Sequence, residues 1–289
     1  MVLGQSLNTS LPYNSPGYIM KTSLYILTYN SPDQVRSILQ SFKKTDQDFL
    51  DLPRKILIDN STDLSTSPEY AKIAEEYNFE IIKKDNIGIA SGRQFVAEHF
   101  EDSDSDYYIF FEDDMHLVPK TTELCRMGYI RYIPNLFKKS LAIMQKDNLD
   151  YLKLSYSEFF GDNSFQWAWY NIPQEVREKF FPGNSTLPEQ FGDPHVMPKT
   201  IPRARRVLDG LPYLIGDYHF CNWPLWFNRK GNYTLFLETV WRYPYEQTMS
   251  SWAFQLQKEG KLNCGVLELS PIHHERFDHY PGEDRREVT

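Results

Sequence analysis

Two hydrophobic patterns alternate along the first half of the chain. After a loose start rich in Ser, Asn and Pro, Ser23 to Thr28 (SLYILT) forms an apolar run of strand length. Ser31-Pro32 follows, an N-cap residue type with proline at the first helical position. Val35, Ile38, Leu39 and Phe42 then recur at the spacing that lines one face of a helix. The alternation repeats. RKILI (Arg54 to Ile58) reads as a strand ending at Asp59, and Ser67-Pro68 opens a second helix with its stripe at Tyr70, Ile73, Ala74 and Tyr77. A third strand is predicted near Glu80 to Lys83 and a third helix from about Ile89 to Phe100. A fourth strand, YYIFF (Tyr107 to Phe111), stops abruptly at Glu112-Asp113-Asp114.

Strands that alternate with helices imply βαβ units and a largely parallel sheet covered on both faces. In such sheets ligands bind beyond the carboxyl ends of the strands. The strand ends are therefore the first places to look for chemistry.

The second half is less regular. Residues 120–148 read as helical, and Tyr151 to Ser155 as a further strand. Residues 156–215 are rich in aromatics, Pro and Gly without sustained period, which predicts a long functional loop. PLWFN (Pro224 to Asn228) reads as a strand. A helix carries Met249, Trp252, Ala253 and Leu256, and a strand runs from Asn263 to Leu269. The expected architecture is one α/β domain with a mixed, mostly parallel central sheet flanked by helices and an irregular C-terminal portion.

Three adjacent carboxylates at the rim of an apolar strand repel one another and are costly to desolvate. A hard divalent cation such as Mn²⁺ or Mg²⁺ offsets that cost and bridges to substrate phosphates. The alternative is a solvated acidic turn. The other strand ends carry a complementary set. Thr28-Tyr29-Asn30 offers a ring and short hydrogen-bonding side chains suited to a planar nucleobase. Asp59 can accept the imide N–H of uracil. The segment NIGIASGR (Asn86 to Arg93) sets glycines and a cation at a helix start, where anionic phosphate is favoured. Each of these also has a plain reading as a turn residue or a surface charge.

Composition narrows the field. The 289 residues are 41% hydrophobic, enough for a large core, and the net charge of −8 argues against nonspecific nucleic-acid binding. No run of about 18 apolar residues occurs, so no transmembrane segment is expected. The three cysteines are far apart, and the start lacks a signal-peptide pattern, so the expected compartment is cytoplasmic.

In order, ILTYNSPDQVRSIL, ILIDNSTD, NIGIASGRQ and YIFFEDDMHLVP resemble the nucleotide-binding half of GT-A (Rossmann-like) glycosyltransferases, most closely family two, over residues 22–119. The resemblance implies that Thr28, Tyr29 and Asn30 line a uridine pocket, that Asp59 contacts uracil, and that Gly88 and Arg93 lie near the uridine or its phosphates. Glu112-Asp113-Asp114 stands in place of the DxD motif. Its last acid, Asp114, would hold the metal, with Glu112 and Asp113 as ribose or supporting contacts. Residues 120–289 would complete the metal, sugar and acceptor sites. Tyr245-Glu246-Gln247 resembles the acidic element before an acceptor-side helix, which makes Glu246 the candidate general base. NCGVLELSPIHHERF resembles a region that supplies a metal-binding histidine, so His273 and His274 are candidate ligands.

The implied activity is metal-dependent transfer of a hexosyl group from a UDP-sugar to a saccharide or other hydroxyl acceptor. Two rivals share the fold: a sugar nucleotidyltransferase and a non-catalytic carbohydrate-binding protein. The first usually carries a Gly-rich basic loop after strand one, where this chain reads TYNSPDQ.

Overall fold

The computed structural model describes residues 20–124, 129–155, 201–218, 220–238 and 246–274. Its N-terminal part follows the alternation closely. Strands β1 (Thr22–Thr28), β2 (Arg54–Asp59), β3 (Glu80–Lys83) and β4 (Tyr107–Glu112) interleave with helices α1 (Pro32–Thr45), α2 (Asp48–Asp51), α3 (Ser67–Tyr77) and α4 (Gly88–Glu101). β1 pairs in parallel with β2 on one side and β4 on the other, and β2 pairs in parallel with β3.

Every residue of β1 is buried, which is why its sequence is a continuous apolar run. The two-residue period of the strand sends alternate side chains to opposite layers. Leu24 and Ile26 join Val35, Ile38, Leu39 and Phe42 of α1 on one face. Tyr25 and Leu27 join Val96, Ala97 and Phe100 of α4 on the other. Burying each large side chain of the α1 stripe contributes roughly 1.5–3 kcal/mol. Ser31 stands at the N-cap of α1 without a side-chain capping bond; Pro32 supplies the start.

The remaining strands extend the same sheet, in the order β3-β2-β1-β4-β9-β6-β10-β8-β7. Here β6 is Tyr151–Lys153, β7 Ile201–Leu208, β8 Leu211–Asp217, β9 Leu225–Asn228 and β10 Cys264–Leu267. β9 runs antiparallel to both β4 and β6, whereas β6 and β10 are parallel. A separate two-stranded ribbon joins β5 (Met115–Leu117) to β11 (Ile272–His274). Helices α5 (Leu136–Lys146), α6 (Arg229–Asn232) and α7 (Glu246–Lys258) complete the α-helices among the described residues, with a π-helical turn at Tyr233–Leu237. Among the described residues no helix is long and apolar enough to cross a membrane.

Two expectations need correction. The helix predicted over 120–148 shrinks to Leu136–Lys146. Pro134 lacks the N–H that a helix interior needs, and the helix starts just after it, at Leu136. The irregular reading of 156–215 fails at its end, where β7 and β8 make a hairpin. Asp209 and Gly210 take φ of 47° and 76°, the left-handed pair of a two-residue hairpin turn. Among the described residues β7 is an edge strand, and it carries Arg203 and Arg205 ion-paired to Asp217 at 2.8 Å and to Glu268 at 2.6 Å. Such charge discourages pairing with another chain. Residues 156–200 and Trp241 lie outside the described residues. Trp226 is fully buried in the core and donates to the Ser140 hydroxyl at 2.8 Å.

Candidate functional site

The order 3-2-1-4 reverses direction between β1 and β4, and a crevice opens at such a switch point. The register aligns Leu27 with Glu112, so the two strands end side by side. A cleft of about 330 Å³ lies there, lined by Leu27, Thr28, Tyr29, Asn60, Asn86, Gly88, Ile89, Glu112, Asp113 and Asp114. Six of the expected residues thus converge: Thr28, Tyr29, Gly88 and the three acids.

The β1 end is held by a hydroxyl cluster. The buried Tyr70 phenol on α3 lies 2.8 Å from the Thr28 hydroxyl and accepts the Ser31 N–H at 2.9 Å. The Thr28 hydroxyl also donates to Asp113 Oδ2 at 2.5 Å, and the Tyr29 N–H donates to the same oxygen at 3.3 Å. Tyr29 itself is 45% exposed, a free ring face at the rim. Across the cleft Gly88 opens α4 with φ of 77°, a conformation that favours glycine. The N-cap residue Ile87 makes no side-chain cap bond, the Gly88 N–H donates to Asn86 Oδ1 at 3.3 Å, and Gly88 and Ile89 bring the helix start, with its partial positive charge, to the cleft.

Four expected residues stand elsewhere. Asn30 does not line the cleft; with φ of 52° it turns back, and its side-chain oxygen accepts the Thr62 and Asp63 N–H groups at 3.1 and 2.9 Å. Asp59 is 2% exposed and is engaged by Lys83 at 2.9 Å and the Ser61 N–H at 3.0 Å, so it is not presented to a base. Its neighbour Asn60 faces the cleft instead and accepts the Ile87 N–H at 2.8 Å. The larger correction concerns Arg93, which lies not at the cleft wall but fully buried beneath it. Gly88 opens the helix, and position 93 falls one and a half turns later on the face that packs against the sheet. His273 is the fourth: it lines a different groove, with His116 opposite it in the register.

His274 alternates to the other face of the ribbon. Its Nε2 sits 3.0 Å from Asp114 Oδ2, and Trp223 packs edge-on against its ring with centroids 5.2 Å apart. Asp114 Oδ1 is buried and makes no hydrogen bond. That orphaned oxygen beside an imidazole fits one side of a divalent-cation site. Among the described residues no three ligating side chains converge. Mg²⁺ and Mn²⁺ typically take one or two protein ligands and complete their shell with water and phosphate oxygens.

The electrostatics point the same way. Burial first, then the neighbouring Asp114, push the Asp113 carboxyl up to about 7, partly offset by the bonds from Thr28 and Tyr29. An unfolded Asp ionises near 3.9. Between about pH 4 and 7 only the folded form therefore holds this proton. Acidification across that window favours folding, and the cost of the charge is fully present above 7. A cation bound beside the pair must displace the proton. Mn²⁺ affinity, measured by calorimetry, is expected to fall about tenfold per pH unit below 7 and to level off above it. A flat affinity from pH 6 to 8 would show that the pair is not coupled to the metal.

No sequence-family model matches the chain, and no curated protein matches it. Solved structures do. A structure of Staphylococcus aureus TarS 1–349 with UDP-GlcNAc matches at 16% identity over 50% of this chain and 36% of that one, with a TM-score of 0.35. The mannosyltransferase PcManGT from Pyrobaculum calidifontis, with GDP-Man and Mn²⁺, matches at 11% identity over 48% and 36%, with a TM-score of 0.36. GalNAc-T7, solved with UDP, GalNAc and Mn²⁺, matches at 11% identity over 89% of this chain and 43% of that one, with a TM-score of 0.52. The fold is that of the GT-A glycosyltransferases. The chain spans less than half the length of these matched chains.

Asn60 and Asn86 line the cleft and Tyr70 braces it, yet in the sequence the first two read as loop residues and Tyr70 as one position of a helical stripe. The signal available for Asn60 was its place one residue beyond a buried strand.

Proposed function

We propose that this chain is a metal-dependent glycosyltransferase that takes its donor as a UDP-sugar in the β1–β4 cleft. One observation carries the reading. Three carboxylates and no lysine or arginine line the described cleft, so an anionic diphosphate enters only together with a cation. The Asp114–His274 pair supplies the protein side of that cation site. The resemblance of the motifs to family two and the ligands named for GalNAc-T7 support UDP and Mn²⁺ as donor nucleotide and metal.

In this reading the Tyr29 ring and Asn60 hold the base, while Asp113, fixed by Thr28, and Glu112 face the ribose and the metal's water shell. The start of α4 receives phosphate. A bound divalent ion supplies Lewis-acid neutralisation of the departing diphosphate. Asp114 and His274 orient it from the strand end. Glu246, the first residue of α7, is the carboxylate we assign as general base toward the acceptor hydroxyl. Its side chain lies outside the described residues. Glu246→Gln is then expected to lower transfer at least tenfold with UDP-sugar affinity unchanged. Equal loss in both would remove Glu246 from that role.

The test of the whole reading is UDP release from a panel of UDP-sugars with Mn²⁺, with and without EDTA. EDTA-sensitive release is the expected result. Pyrophosphate formed from UTP and a sugar phosphate, or sugar binding indifferent to EDTA without turnover, would replace it with one of the two rivals.

A further inference from the structure

The reverse face of the β5–β11 ribbon carries a second concavity. Side chains alternate across a strand. His274 therefore faces Asp114, whereas His273 faces away, level with His116. These two imidazoles and the second half of α1 enclose a groove of about 250 Å³. α1 contributes Ser37, Gln40, Lys44 and Thr45. The groove has a fixed floor, because the Leu117 N–H donates to the Ser41 hydroxyl at 3.1 Å and that hydroxyl donates to the Ile38 carbonyl at 2.7 Å.

Its chemistry is one-sided. The described lining contains no carboxylate, in a chain whose net charge is −8. Lys44 brings an ammonium, and Gln40, Ser37 and Thr45 bring an amide and two hydroxyls, beside the two imidazoles. One effect opposes an anion here, the partial negative charge at the carboxyl end of α1. Lys43 and Lys44 in the last turn offset it. A cation would meet an ammonium and no charged oxygen.

We propose that this groove is a second binding site, specific for a phosphate-class oxyanion. A tetrahedral oxyanion offers several acceptor oxygens at once, which matches the ammonium, amide and hydroxyl donors that α1 brings to the groove. It is distinct from the diphosphate position in the cleft. α1 starts beside the cleft, and the groove lies along its far half, from Ser37 to Thr45. An oxyanion held there lies between α1 and β11, the strand that delivers His274 to Asp114.

Calorimetric titration with inorganic phosphate tests this, without nucleotide or metal, so that the acidic cleft repels the probe. Gln40 and Lys44 are exposed on α1, so Lys44→Glu and Gln40→Glu leave the core intact. Wild type is expected to saturate, and each variant to weaken phosphate about tenfold, with Mn²⁺·UDP titrations unchanged. A parallel titration with dimethyl phosphate separates the sources. Tighter binding than inorganic phosphate assigns the site to a phosphodiester, and weaker binding assigns it to free phosphate or a monoester. Absence of saturable binding by either probe, or wild-type affinity in both variants, would overturn the proposal whether or not the cleft turns over UDP-sugars.

Discussion

Replacing Asp114 with Asn is expected to reduce metal-dependent UDP release by about 10²–10³-fold while leaving the melting temperature unchanged or slightly higher. Asn keeps the shape of Asp and removes the charge. The side chain sits at the strand end, 3.0 Å from His274, with its second oxygen buried and unpaired. A neutral amide oxygen is a poor ligand for a hard cation, and losing the metal's contribution costs several kcal/mol at about 1.4 kcal/mol per tenfold. Stability moves the other way, because the like charge beside Asp113 is gone. Turnover is read as kcat/KM, and folding by thermal melting of the same preparation. Near-wild-type kcat/KM in a folded variant would remove Asp114 from the metal site and take the proposed enzyme with it.

The second large effect is a gain in stability. Arg93 is fully buried, with its guanidinium 4.4 Å from the Phe110 ring centroid, 4.5 Å from Phe236, 5.1 Å from Phe227 and 5.2 Å from Tyr108. Nη2 donates to the Tyr108 hydroxyl at 2.8 Å, which in turn donates to Asn232 at 3.0 Å. Nε and Nη1 make no hydrogen bond. Burial holds the guanidinium below its ordinary pKa, with Tyr108 and then the more distant Glu112 acting against that. Four aromatic faces return about 2 kcal/mol by cation–π attraction, less than a desolvated cation lacking a carboxylate partner requires. Arg93→Met fills similar length with a side chain that suits an aromatic cage. It is expected to stabilise the fold by about 1–4 kcal/mol. That corresponds to a rise of about 2–4 °C in Tm per kcal/mol. Because the charge at position 93 also acts on Glu112 at the cleft, the same variant should bind Mn²⁺·UDP more weakly, a trade of stability for function. Arg93→Ala, which leaves a cavity, should lose about 3–5 kcal/mol. A destabilised Arg93→Met would show that the cage and its single hydrogen bond already compensate the charge.

Much of the fold was legible because its elements are dictated locally. β1 and β4 are buried on both faces, so they read as unbroken apolar runs. α1 is buried along one stripe, so it reads as a 3.6-residue period. The β7–β8 hairpin was legible too, through Asp209-Gly210, and was missed because the aromatic stretch before it has no period. The acids of the candidate site were visible for a simple reason: charge directly after a buried strand is costly and stands out.

Sequence alone therefore determined the parallel N-terminal sheet, the strand-end location of the cleft and the acidic cluster at its rim. Each of these follows from the local pattern of apolar and polar residues. Only the tertiary structure separated His274 from His273, because that depends on the register of β11 against β5, and one residue of register exchanges the two faces. The same holds for Asn60 over Asp59 and for the burial of Arg93. Those outcomes rest on which way a side chain points once distant elements pack, and short-range pattern carries no information about that.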